Sequence, residues 1–108
     1  MSGLDRVIAS RMLTCVIDGS RQEVQVNLGE PFGDDGAFTC AYEIVLGNDS
    51  TILMITGIDG IQALQLALFM VGSSLRSMSH ASDWRWPGEV GSGFPATLQE
   101  PLFGERSE

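Results

Sequence analysis

The residues from which chemistry could be built are few: one histidine, two cysteines, paired carboxylates in a loop and a Trp-Arg-Trp cluster. His80 stands three residues before Asp83, among Ser77, Ser79 and Ser82. A histidine oriented by a carboxylate can activate a serine hydroxyl. No nucleophile elbow accompanies these residues, and serines are common in exposed loops, so no catalytic residue is assigned here. One histidine and two separated cysteines, Cys15 and Cys40, make a poor metal set. Asp34 and Asp35 lie in a glycine-flanked loop, but their spacing does not match a calcium loop. Gly91-Ser92-Gly93 lacks the third glycine, the preceding strand and the following helix of a dinucleotide fingerprint, and reads as a turn. No metal and no cofactor is expected.

Trp84, Arg85 and Trp86 are the most suggestive group. Tryptophan and arginine are enriched where proteins bind partners. The first reading of the same rings is a lid that covers the open end of the helix-sheet core, ahead of a partner or ligand contact. In an extended segment the two roles can coexist, because alternate residues point opposite ways.

The elements that position these residues can be read from the pattern. Val7 to Ile17 is apolar and β-branched with a two-residue rhythm, and Val24, Val26 and Leu28 alternate with Glu23, Gln25 and Asn27. Both read as strands. A Gly19-Ser20 hairpin loop would set Cys15 against Val24 and Leu13 against Val26. A third strand is expected at Phe38–Leu46 and a fourth at Thr51–Thr56. An Asn48-Asp49 loop would set Ile44 against Leu53 and Tyr42 against Ile55. The fourth strand is apolar on both faces, with Leu53 and Ile55 on one and Ile52 and Met54 on the other, and wants cover on both. Asp59 is a good N-cap, and the run from Gly60 uses strong helix formers. A helix over residues 59–76 is therefore expected, with Ile61, Leu64, Leu68, Val71 and Leu75 as its apolar stripe.

These elements predict an α+β fold: a four-stranded antiparallel β-meander, one long helix packed on one sheet face, and an irregular C-terminal segment. The packed face would carry Leu13, Cys15, Val24, Val26, Cys40, Tyr42, Ile44, Leu53 and Ile55. Two strands would separate the cysteines by about 10 Å, beyond the roughly 7 Å that a disulfide spans. Both are expected as reduced thiols filling the core. A length of 108 residues predicts a single domain, ordered over about residues 7–95, with a frayed tail over 99–108.

Composition narrows the function classes. The chain is 44% hydrophobic and carries a net charge of −8, and its six basic residues are all arginine. Absence of lysine fits a GC-rich genome. Such acidity argues against nucleic acid and against an anionic membrane surface. The N-terminus has no signal-peptide pattern, and the apolar run Ile61–Val71 is too short to span a bilayer, so the expected location is the cytoplasm.

Gly57-Ile58-Asp59-Gly60-Ile61-Gln62-Ala63-Leu64-Gln65-Leu66-Ala67 opens the helix, and Gly93-Phe94-Pro95 closes the ordered region. This pattern resembles a family of small uncharacterised bacterial proteins with a β-meander, a Gly-x-Asp…Gln-Ala-Leu helix and a Gly-Phe-Pro ending. The resemblance implies a bacterial source and this fold, and assigns no catalytic residues.

The expected function is a non-enzymatic protein-interaction module, of partner-binding or immunity type, with Trp84, Arg85 and Trp86 as candidate contacts. The alternative is a homodimer binding a small ligand between helix and sheet, and a small enzyme is the third choice. Self-association through the apolar strip left over on the helix and sheet is expected as well.

Overall fold

The computed structural model describes Leu4, residues 6–80 and residues 83–95. The expected tail over 99–108 lies outside the described residues. The chain forms β1 (Val7–Ile17), β2 (Ser20–Gly29), β3 (Phe32–Asp34), β4 (Ala37–Leu46), β5 (Asp49–Gly57), α1 (Gly60–Met78), β6 (Arg85–Trp86) and β7 (Glu89–Val90). All pairings are antiparallel. The α+β class is as expected, but among the described residues the sheet has seven strands rather than four. The four long strands keep the meander order β1-β2-β4-β5. The additions are β3, which pairs with the start of β4, and the β6–β7 hairpin, which extends the sheet beyond β1.

Both expected hairpin registers are shifted by two residues. Ile17 pairs with Ser20, so Asp18-Gly19 is the loop, with φ of 53° and 78°. Two positive φ values are what a type I′ turn requires, and its twist matches that of the strands. Leu13 therefore meets Val24, and Cys15 meets Gln22. Likewise Leu46 pairs with Asp49 around Gly47-Asn48, which sets Tyr42 against Leu53 and Cys40 against Ile55. A shift of two preserves which face each side chain takes, so the expected core face survives the wrong register.

That face packs against α1. Leu13, Cys15, Val24, Val26, Cys40, Tyr42 and Ile44 are buried from the sheet, and Ala63, Ala67, Val71 and Leu75 from the helix. Leu53, expected in this face, is 43% exposed because it sits on the outermost long strand. The helix stripe is also rotated from expectation. Ile61 is 67% exposed, while Ala63 and Ala67 are fully buried. Small residues let the helix backbone approach the sheet, and Leu64 and Leu68 pack half-buried at its flank. Asp59 caps as expected, its carboxylate accepting from the Gln62 amide at 2.8 Å. Gly72 is buried beneath the closing segment; a Cβ there would lie 2.5 Å from the Pro95 carbonyl oxygen. Among the described residues no helix is long and apolar enough to cross a membrane.

Candidate functional site

The Trp-Arg-Trp segment lies at the edge of the sheet where β6 meets β1, with Arg85 opposite Thr14. Its three residues have three environments. Trp84 is fully buried in the core, and its indole N–H donates to the Leu75 carbonyl at 3.2 Å. In this position it is a lid and offers no surface to a partner. Arg85 is exposed and donates to the Trp84 carbonyl at 2.9 Å. Trp86 is half-buried beneath Arg11, whose guanidinium lies 3.7 Å from the ring centroid. The same guanidinium is 5.1 Å from the Phe94 ring and donates to the Ser92 carbonyl at 3.0 Å. Arg11 thus latches the closing segment to β1. In the sequence it stands in an apolar alternation as its one charged member, which is the signal that could have marked it.

Arg11 also borders a cavity of about 190 Å³ between helix and sheet, lined by Ala9, Val26, Leu28, Leu68 and Phe94. Among the described residues its lining is apolar apart from Ser10 and Arg11.

The titratable candidates come together in part: Ser79 and Asp83 meet beside Cys15. The Asp83 carboxylate accepts from the Ser79 hydroxyl at 2.7 Å, and the Asp83 amide donates to the His80 carbonyl at 2.9 Å. His80 itself is exposed. Ser82 lies outside the described residues. Gly91-Ser92-Gly93 is irregular backbone after β7, with a bend at Gly91 and both glycines at positive φ. Asp35-Gly36 is the hairpin loop between β3 and β4. Among the described residues no group of three or more His, Cys, Asp or Glu side chains could hold a metal ion.

Both cysteines are free and buried, as expected. Burial pushes the Cys15 thiol up, with Asp83 adding to the rise and a Ser79 hydrogen bond opposing it. Burial alone raises Cys40. A raised thiol is a poor nucleophile, since the thiolate is the reactive form.

Among the described residues the opposite sheet face carries no helix. Across its middle runs a hydrogen-bonded band that pattern reading missed. Ser10 and Gln25 donate to the Asn27 side-chain oxygen at 2.7 and 3.0 Å. Asn27 donates to Glu43 at 2.9 Å, and Ser50 donates to the other Glu43 oxygen at 2.6 Å. Asn27 and Glu43 are buried, and around them Ile8, Met12, Val16, Ile52 and Met54 are exposed. The expected cover is missing from the second face of β5 among the described residues, where Ile52 and Met54 are 39% and 64% exposed; on the helix face Ile55 packs on the core while Leu53 stays 43% exposed.

Compared with known proteins, residues 9–96 match the family model described as a domain of unknown function (DUF6968). No curated protein and no solved structure matches.

Proposed function

The chain belongs to this family, and we propose that it is a non-enzymatic protein-interaction module that docks through its uncovered sheet. The observation that carries the reading is the run Ile52-Leu53-Met54, three consecutive apolar residues exposed on an outer strand. Ile52 and Met54 share the helix-free face with Ile8, Met12 and Val16, and Leu53 lies on the other; exposed apolar side chains gathered on one face mark interaction sites. The contact surface moves accordingly from the expected Trp84-Arg85-Trp86 segment to β5 and the helix-free face, because Trp84 is core and Trp86 is held by Arg11. The partner is a protein: a chain of net charge −8 is a poor ligand for nucleic acid or an anionic membrane. The proposed setting is the bacterial cytoplasm. An arginine-only basic set and two free buried thiols support it.

The test is a photo-crosslinking residue placed at Met54 or at Arg85 in the producing cell. The Met54 position is expected to capture a protein and the Arg85 position to capture none. Capture at Arg85 with none at Met54 would return the function to the tryptophan segment.

One observation favours the second reading, a homodimeric small-ligand binder. The cavity between helix and sheet pairs apolar walls with a cation at its rim, which suits a small apolar carboxylate. A thermal shift with such acids that disappears in Leu68→Trp would support it.

A further inference from the structure

The two outer long strands are treated differently. On β1 the register shifts between Val7 and Ala9, and β6 crosses its free side at Thr14. Irregularity and cover are devices that keep an edge from pairing with another chain. On β5 no such device is present among the described residues. Among the described residues β5 pairs with β4 alone. It runs for nine residues, without proline or lysine, and Asp49 at its start is its one charged residue.

We propose that this edge pairs antiparallel with β5 of a second copy of the chain, about a twofold axis at Leu53. The proposal rests on the interaction-module reading and names its partner. The tight turn directs the Asp49 amide toward Leu46, so peptide groups alternate from there. Ser50, Ile52, Met54 and Thr56 therefore direct theirs outward. With Leu53 on the axis, Ile52 meets the partner's Met54 and Ser50 meets the partner's Thr56. All four outward residues are used, giving on the order of eight backbone hydrogen bonds. A shift of two residues either way leaves an outward residue unpaired in each copy.

The same register accounts for the exposed side chains. The two Leu53 residues form a non-hydrogen-bonded pair, where Cα atoms approach to about 4.5 Å and side chains are closest. Leu53 lies on the helix-facing row with Tyr42 and is exposed only because no strand follows it. Ile52 and Met54 cover one another on the other face. The two Asp49 residues stand at opposite ends of the ladder, roughly 27 Å apart. Each faces an uncharged Gly57, so two copies of a chain with net charge −8 meet along a neutral strip. Self-complementary pairing is what a twofold interface requires. An extended segment of another protein could use the same peptide groups, and the test separates that case.

The test is analytical ultracentrifugation of the purified full chain up to about 100 μM, beside Met54→Pro and Leu53→Lys. The Met54 amide points away from β4, so proline there removes no bond within the chain. Wild type is expected to be a dimer and both variants monomers with unchanged circular dichroism. Amide exchange supplies a reading without substitution: Ser50, Ile52, Met54 and Thr56 should be protected at high concentration and lose protection on dilution. A wild type that stays monomeric, or a dimer in which these four amides exchange freely, overturns the pairing. Crosslinking at Met54 to a different protein, with the purified chain monomeric, overturns self-pairing and leaves the docking reading in place. Absence of any crosslink at Met54 together with a monomeric chain retires both.

Discussion

The Trp84 indole N–H donates to the Leu75 carbonyl at 3.2 Å, and Leu75 accepts from the Ser79 amide as well. The last carbonyls of a helix have no partner within it. The Leu75 carbonyl already carries the cap amide, and the indole adds a second donor to it, so the largest ring of the core is fixed by the end of the helix it covers. Trp84→Ala is expected to cost about 3–5 kcal/mol, as buried aromatic truncations do. Trp84→Phe keeps most of the area and should cost about 1–3 kcal/mol, because it leaves less for the carbonyl to bond. Urea denaturation measures both. Loss of partner capture without loss of stability in Trp84→Ala would contradict the lid.

Arg11 makes the matching contact from the strand side. Removing it with Arg11→Met keeps the apolar stem and deletes the stacking on Trp86 and the bond to Ser92. The expected cost is about 1–2 kcal/mol. Amide exchange of Arg85 and Val90 should speed up well before that of the β2–β4 ladder, because the hairpin would open locally.

The helix orientation gives the sharpest contrast. Leu75→Ala is expected to cost about 2–5 kcal/mol, and Ile61→Ala less than about 0.5 kcal/mol. The apolar stripe in the sequence contains both residues, so hydrophobic periodicity alone ranks them equally. What separates them is the approach of the backbone at Ala63 and Ala67, which a scale of hydrophobicity scores low. The same limit explains the strands. Alternation showed which side chains share a face, so Leu13, Val24, Val26 and Tyr42 were legible as core. Loop position was not, since Asp18-Gly19 and Gly19-Ser20 both read as turns and both keep the faces intact. The two-residue strands β6 and β7 carry too few residues to show any period. Arg11 at the latch was legible only as an interruption of an apolar row.

The thiols predict a pH dependence. Cys15 and Cys40 both have pKa values raised above the ordinary 9.0 by burial. Below that ordinary value both states are protonated, and the contribution to stability is fully present. Above it the unfolded chain releases protons that the folded chain retains, so stability falls as pH rises through the folded values. Denaturation midpoints should be insensitive to these groups at pH 6–8 and decline above about pH 9. The decline should lessen in Cys15→Ala and Cys40→Ala. At neutral pH a thiol reagent should modify both residues no faster than the chain opens.

Asn27 and Glu43 form a buried polar pair on a face that alternation assigns to solvent. The sequence shows two polar residues in the expected places. It does not show that they occupy neighbouring central strands, where flanking side chains exclude water. Each of them satisfies the other, and Ser10, Gln25 and Ser50 complete the band. Asn27→Ala should therefore cost more than the bond itself, about 2–3 kcal/mol, because Glu43 loses one of its donors while remaining buried. Glu43→Ala should cost a similar amount for the reciprocal reason. The double variant leaves neither group stranded by the other, so its cost should fall short of the summed single costs by about 1 kcal/mol or more. Additive costs in the double-variant cycle would mean that water reaches both groups and that the band is surface decoration rather than part of the fold.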